Sequence, residues 1–223
     1  MDIITFIIPT VGRNTLINSI NSLLNQTITL WKAIIIFDGI PSNFKISDER
    51  VTIIQSEKLG ENINSAGNVR NYGITFAKTK WIAFLDDDDE IANDYIEIFY
   101  RELKILPDLD VLIFRMKQED RIIPKLKIDN FYICDVGISF VMKKSIYDKG
   151  LKFIPNSAED FLYLDQIRNK KYKIVISPYI KYFVKGNIDS SLKEKGNRVL
   201  INYNNITFLL FIGYKTLFLE KLK

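Results

Sequence analysis

The chain has 223 residues, enough for one large domain with a substantial core. Hydrophobic residues make up 47% and charged residues 26%, with only 6 prolines, which excludes disorder, collagen-like repeats and low-complexity tracts. There is no histidine, so Ser-His-Asp and Cys-His catalysis are excluded and zinc has little to bind. The single cysteine, Cys134, excludes an intramolecular disulfide framework and is expected to pack in or near the core. Any acid–base or metal chemistry must therefore rest on carboxylates.

The net charge of +4 is unevenly spread, with lysines and arginines outnumbering acids from Ile167 onward. A solvated surface and an anion-attracting face are both compatible with this, but no aromatic-plus-basic RNA motif accompanies it, so no nucleic-acid partner is expected. Met1-Asp2-Ile3 lacks the basic start of a signal peptide, and no stretch reaches the roughly 18 apolar residues needed to span a bilayer. The expectation is a soluble, cytoplasmic protein.

In chain order, Ile3 to Pro9 is an almost unbroken β-branched and aromatic run, which predicts a buried strand of a parallel sheet. Gly12-Arg13-Asn14 breaks it, and Leu16, Ile20, Leu23 and Leu24 then recur at helical spacing. Trp31 to Phe37 predicts a second strand stopped by Asp38-Gly39, and Val51 to Ile54 a short third. A helix is expected over Asn68 to Ala77, then a fourth strand over Trp81 to Leu85, ending in Asp86-Asp87-Asp88-Asp89-Glu90. A helix from Ile91 to Leu106 is closed by Pro107, which cannot continue one. Strands alternating with helices imply right-handed crossovers and a parallel sheet in this half.

The second half reads as a strand over Val111 to Arg115, a polar loop around Glu119 to Lys127, a strand from Gly137 to Met142 and a short helix over Lys144 to Lys149. A helix over Glu159 to Arg168 and a short strand over Lys173 to Ile176 follow, and the apolar stretch Arg198 to Leu219 predicts a long C-terminal helix. No Gly-, Pro- or Ser-rich linker separates the halves, so one shared core is expected.

In open parallel sheets, ligands bind beyond the carboxyl ends of the strands. The first, second and fourth predicted strands end in Thr10, Asp38 and the Asp86–Asp89 run. Four consecutive carboxylates repel one another, and a divalent cation offsets such charge; oxygen ligands suit Mn²⁺ or Mg²⁺, held by one or two carboxylates with phosphate oxygens beside them. The competing reading is that Asp89 and Glu90 cap the following helix. No G-x-G-x-x-G follows the first strand, and the EF-hand spacing of acids is missing.

Five segments in order resemble the inverting glycosyltransferases of family 2, which have the GT-A fold. They are Ile7-Ile8-Pro9-Thr10; Asp38-Gly39; Val69-Arg70-Asn71-Tyr72-Gly73; Phe84-Leu85-Asp86-Asp87-Asp88-Asp89; and Glu159-Asp160. The resemblance runs from about Ile3 to Ser191 and implies an α/β fold with a Rossmann-like, mostly parallel sheet joined to a smaller acceptor-binding half. It implies a nucleotide-sugar-binding half over residues 1–107 and an acceptor and catalytic-base half over 108–195, and with the apolar C-terminal helix expected over 196–223 these make one domain.

The resemblance also implies a set of roles. Pro9, Thr10, Asp38, Arg70, Asn71, Asp86, Asp87 and Lys185 would hold the donor, a UDP-sugar first among candidates. Asp88 and Asp86 would face the metal, although an all-Asp run leaves open a slip to Asp87 and Asp89. Asp160 would take the acceptor's proton, with Glu159 in reserve. Tyr182, Lys185 and Ser190-Ser191 resemble the family's late segment, while Gly137 and the stretch from Asn130 to Asp135 would border the acceptor, which could be a glycan, a lipid-linked carrier, a protein or a small molecule. The alternatives are a nucleotidyltransferase on a similar fold, for which Val11-Gly12-Arg13 is a thin phosphate loop, and a non-catalytic sugar-nucleotide-binding or glycan-binding subunit. The apolar C-terminal helix would pack on the core, form a homodimer contact or dock peripherally on a membrane surface.

Overall fold

The buried apolar runs assemble into a sheet whose strand ends present Thr10, Asp38 and the Asp86–Asp89 segment, while helices bring Arg70, Glu159 and Asp160. In the computed structural model, residues 3–42, 44–60 and 66–185 are described with their side chains, and residues 197–203, 206–212 and 217–221 as backbone strands. Strands β1 (Ile4–Thr10), β2 (Trp31–Asp38), β3 (Val51–Ser56) and β4 (Trp81–Phe84) pair in parallel in the order β3-β2-β1-β4. Parallel strands covered on both faces need apolar side chains on both, and β1, β2 and β4 are buried almost throughout. Helices α1 (Leu16–Leu24), α2 (Ala66–Phe76) and α3 (Tyr95–Ile105) make the crossovers.

Helix α2 lies so close to the sheet that position 73 must be glycine. A Cβ there would sit 2.6 Å from Ile36 Cδ1 and 2.7 Å from Ile7 Cγ2. That approach sets Arg70, one turn earlier on α2, against the carboxyl ends of the strands.

The second half extends the same sheet. β6 (Val111–Gln118), β8 (Phe140–Lys143) and β9 (Ile174–Val184) continue it in the order β4-β8-β6-β9, β7 (Arg121–Ile123) forms a hairpin on β6, and β5 (Asp89–Ile91) closes the path against β9. Helices α4 (Lys144–Asp148) and α5 (Glu159–Asn169) complete the described helices. A continuous aromatic cluster joins the halves: Phe84 meets Phe140 at 5.1 Å and Phe153 at 5.3 Å, and Phe153 stacks on Tyr163 at 4.1 Å.

Three expectations change. The helix expected from Ile91 begins at Tyr95 with Asp94 as its N-cap residue, and Asp89 and Glu90 lie in β5, so they do not cap it. The strand expected to stop at Ile176 runs to Val184, because a register shift against β6 absorbs the residues around Pro178. The C-terminal helix is replaced by an antiparallel sheet of β10 (Asn197–Tyr203), β11 (Ile206–Ile212) and β12 (Leu217–Lys221). The stretch is rich in Ile, Phe, Tyr and Thr, which fit a pleated surface, and apolar length alone does not separate helix from strand. The dimer and membrane roles argued for an apolar helix lose that basis. No helix among the described residues is long and apolar enough to cross a membrane.

Candidate active site

A cleft of about 720 Å³ opens at the carboxyl ends of β1, β2 and β4, lined by Pro9, Thr10, Val11, Arg13, Asp38, Lys58, Arg70 and Asp86 to Asp88 among others. Leu85 to Asp88 form the turn between β4 and β5. Tight turning sends successive carboxylates to opposite sides. Asp87 and Asp89 are 3% and 5% exposed, whereas the side chains of Asp86 and Asp88 keep 32% and 28% of their surface open.

The inward pair is fully engaged. Asp87 accepts hydrogen bonds from the Thr10 hydroxyl at 2.6 Å and from Arg13 Nη1 at 2.7 Å, which ties the end of β1 to the end of β4. Asp89 accepts the Lys185 backbone N–H at 2.9 Å and a hydrogen bond from the Tyr182 hydroxyl. Burial, with Asp86 and Asp88 nearby, pushes Asp89 up to about 7. Tyr182, itself buried, also accepts the Asp86 backbone N–H at 3.1 Å, so β9 holds the acidic turn from below.

Arg70 is the charge centre. Buried on α2, it donates through Nη2 to Asp86 Oδ1 at 2.6 Å and through Nη1 to Glu159, with Asp160 Oδ1 3.5 Å away. Burial works against its charge, but Asp86, Asp160 and Glu159 outweigh it and hold the guanidinium above its ordinary range. Glu159 is consumed by this frame, since its second oxygen accepts the Gly67 N–H at 2.9 Å. Burial raises its pKa, partly offset by Arg70.

Asp160 differs. A quarter of its side chain is open (25%), yet Oδ1 is enclosed and has no hydrogen-bond partner. Burial pushes it up to about 7; Arg70 opposes this, and Glu159 and Asp86 reinforce it. Its Oδ2 faces the turn at Gly137, about where the acceptor side was expected: a Cβ at 137 would lie 4.0 Å from it.

Asp38 is buried, and its carboxylate accepts the N–H groups of Leu59 at 2.6 Å and Gly60 at 3.3 Å and the Lys58 ammonium at 2.8 Å. That leaves one lone-pair position on Oδ1 for a ligand. Asn71 does not join the cleft. Its amide both donates to and accepts from the backbone of Phe153, at 2.9 and 3.1 Å, fixing the segment that leads to Glu159. Lys185 reaches the acidic turn by its backbone, and its ammonium lies 3.6 Å from Glu90. Ser190-Ser191 lie outside the described residues. Cys134 is half-buried, and the stretch around it is held by an Arg121 hydrogen bond to the Cys134 carbonyl.

From sequence, Arg13 entered only through the thin phosphate loop Val11-Gly12-Arg13 of the nucleotidyltransferase reading, and Lys58 not at all. The available signal was a basic residue a few positions past the ends of β1 at Thr10 and β3 at Ser56.

Among the described residues no three His, Cys, Asp or Glu side chains converge as a metal cage. The cleft does fit an ion with few protein ligands. Counting Glu159 and Asp160 beside Arg70, it holds six acids against the three bases Arg13, Lys58 and Arg70. A divalent cation would offset that excess of acids against an incoming diphosphate, and Asp88, outward-facing with 28% of its side chain open, is a carboxylate that could help hold one.

These features place the chain among α/β proteins that bind a ligand at the carboxyl edge of a parallel sheet. Residues 5–161 match the model of glycosyl transferase family 2, and the chain belongs to that family. It is 26% identical to the poly(ribitol-phosphate) beta-N-acetylglucosaminyltransferase TarP of Staphylococcus aureus (strain N315), over 91% of this chain and 70% of that protein. It is 33% identical to the Escherichia coli UDP-Glc:alpha-D-GlcNAc-diphosphoundecaprenol beta-1,3-glucosyltransferase WfgD, over 41% of this chain and 37% of that protein. Crystal structures of S. aureus TarS, including a complex with UDP-GlcNAc, superpose with a TM-score of 0.62 at 19% identity, covering 81% of this chain and 58% of that one. The fold is thus GT-A, and the chain spans about 60% of the length of the TarS structures it matches. Family membership sets aside the nucleotidyltransferase reading.

Proposed function

We propose that the chain is a metal-dependent, inverting glycosyltransferase that moves a sugar from a UDP-sugar to an acceptor hydroxyl, with Asp160 as general base. The observation that carries this is the Asp160 carboxylate: 3.5 Å from the cleft-lining Arg70, with Oδ1 enclosed and lacking a hydrogen-bond partner, a quarter of its side chain open, and its pKa pushed up to about 7 by burial. Its neighbour Glu159 is committed to Arg70 and Gly67, which favours Asp160 over the reserve.

In this reading Asp38 accepts a base N–H, with Pro9 and Thr10 beside it at the end of β1. Asp86 lies toward the ribose and Asp88 toward the cation, supported by their outward orientation while Asp87 and Asp89 are turned in. Asp88 and Asp86 would hold a Mn²⁺ or Mg²⁺, which would supply Lewis-acid stabilisation of the departing diphosphate. Asp160 removes the acceptor O–H proton as that oxygen bonds to the anomeric carbon. The bond to the diphosphate breaks, the configuration inverts, and the proton remains on Asp160 until solvent takes it. No covalent nucleophile is required.

UDP as the carrier is supported by the TarS complex with UDP-GlcNAc and by the donor in the name of WfgD. A glycan acceptor, polymeric or lipid-linked, is supported by the acceptors named for TarP and WfgD. A cytoplasmic location, at times peripheral to a membrane, suits such acceptors.

Release of UDP from UDP-GlcNAc and UDP-glucose tests the base. Asp160→Asn should lose turnover by about 10²–10⁴-fold, the usual worth of a general base, with UDP affinity unchanged. Full turnover in that variant refutes the assignment.

A further inference from the structure

The guanidinium of Arg13 occupies the place in this cleft where a cation is wanted. Its Nη1 donates to Asp87 Oδ1 at 2.7 Å and lies 3.2 Å from Asp88 Oδ2, bridging the inward and outward carboxylates. The loop before it is shaped for this. Gly12 has φ of 81°, a Cβ there would meet Ile40 Cδ1 at 2.6 Å, and its N–H donates to Thr10 Oγ1 at 2.9 Å. The turn thereby sends Arg13 back across the ends of β1 and β4.

Two features separate Arg13 from an ordinary structural arginine. Its side chain is 53% exposed and lines the cleft, and its Nε and Nη2 take no hydrogen bond among the described residues. Arg70, by contrast, is buried with both terminal nitrogens committed to carboxylates. One arginine is fixed in the frame, and the other can swing.

We propose that Arg13 is an exchangeable counter-ion. In the empty cleft it neutralises Asp87 and Asp88; when the cation–diphosphate arrives, it gives up Asp88 and turns its free nitrogens onto the phosphate oxygens. The chemistry favours this exchange, because a guanidinium fork matches phosphate geometry and Asp88 gains a divalent partner in return. The consequence is coupled loading. The divalent ion alone must compete with Arg13 and binds weakly, whereas ion and nucleotide together release Arg13 to a better partner. The proposal rests on the metal reading above.

Mn²⁺ binding measured by electron paramagnetic resonance of the free ion, with and without UDP, tests it in wild type and in Arg13→Gln. In wild type Mn²⁺ should bind weakly alone and more tightly with UDP. In Arg13→Gln, Mn²⁺ alone should bind about fivefold more tightly, the scale of two half-exposed ion pairs, because Asp88 loses its competitor. The same variant should bind Mn²⁺–UDP at least about fivefold more weakly, while phosphate-free uridine competes equally well against both proteins. Opposite signs for Mn²⁺ alone and for Mn²⁺–UDP are the signature. Weakening of Mn²⁺, UDP and uridine together marks Arg13 as merely structural and overturns the proposal, as does no change. Wild type that binds no Mn²⁺ even with UDP overturns the metal reading, and this inference with it, before any variant is made.

Discussion

Replacing Arg70 by Leu removes the one cation that three carboxylates share. Asp86 loses a 2.6 Å hydrogen bond, Glu159 loses its partner, and the charge 3.5 Å from Asp160 disappears, all within a buried frame. Breaking a buried ion pair from one side costs about 3–5 kcal/mol, because the remaining charge stays buried and unpaired. That is a large part of the roughly 5–15 kcal/mol that holds a domain together. At this chain length it corresponds to a midpoint lowered by about 6–20 °C.

The penalty also depends on pH in a definite direction. Arg70 opposes the burial that raises Glu159 and Asp160, so without it both folded-state pKa values climb further. The variant's native state then binds protons more readily than wild type as pH falls, and its deficit shrinks from pH 8 to pH 5. Urea unfolding followed by tryptophan fluorescence suits the test, since Trp31 and Trp81 are both buried. Arg70→Lys should fall between the two, keeping the charge but losing the fork that reaches two carboxylates at once. A deficit for Arg70→Leu below about 1 kcal/mol, or one equal at both pH values, would refute the charge-centre argument.

Other consequences are as direct. The rate of UDP-sugar turnover should rise with pH along an acid limb near the Asp160 value of about 7, because the base works only when deprotonated; a flat profile between pH 5 and 8 contradicts this. That raised pKa means that ionised Asp160 weakens the fold progressively between pH 3.8 and about 7, so Asp160→Asn should be more stable than wild type at pH 8, by about 1 kcal/mol or more, with the advantage vanishing toward pH 4. An advantage constant across pH would show that burial of the charge is not its source. Gly73→Ala should cost about 1–3 kcal/mol in urea unfolding despite alanine's helix preference, since Ile7 and Ile36 occupy the space; a stabilised variant would mean that the helix can lift. Asn71→Ala should cost about 1–3 kcal/mol by orphaning the Phe153 backbone, yet leave UDP affinity unchanged. Calorimetric titration that finds lost UDP binding at full stability would return Asn71 to the donor site.

The first half was legible because its strands are apolar runs cut off by polar residues, as at Phe37-Asp38 and Leu85-Asp86. Asp38 and Asp86 to Asp89 were legible for the same reason, since they fall where strands end, whereas Glu159-Asp160, at the start of α5, stood out only through the family resemblance. Direction was not legible. Four identical side chains in Asp86 to Asp89 carry no sign of which turn inward, and the turn geometry with the Thr10, Arg13 and Tyr182 partners decides it. β5 was hidden because Asp and Glu are poor strand formers, and only pairing with β9 makes Asp89–Ile91 a strand. β9 was cut short because Pro178 signals a break that a register shift accommodates. In the C-terminal stretch, Asn204-Asn205 and Gly213 are turn-forming residues between β-branched and aromatic runs, and they marked strands where apolar length suggested a helix.

The central claim is a nucleotide-sugar site completed by a divalent ion, and a thermal-shift series with UDP, CDP, GDP and ADP, each with and without Mn²⁺, tests it most directly. Ligand at about 100 times its Kd stabilises the native state by roughly 2.7 kcal/mol, a rise of about 5–10 °C at this chain length. The account predicts such a rise for UDP with Mn²⁺, a much smaller one for UDP alone, and little for the other nucleotides. A rise indifferent to Mn²⁺, or none with any nucleotide, would contradict it.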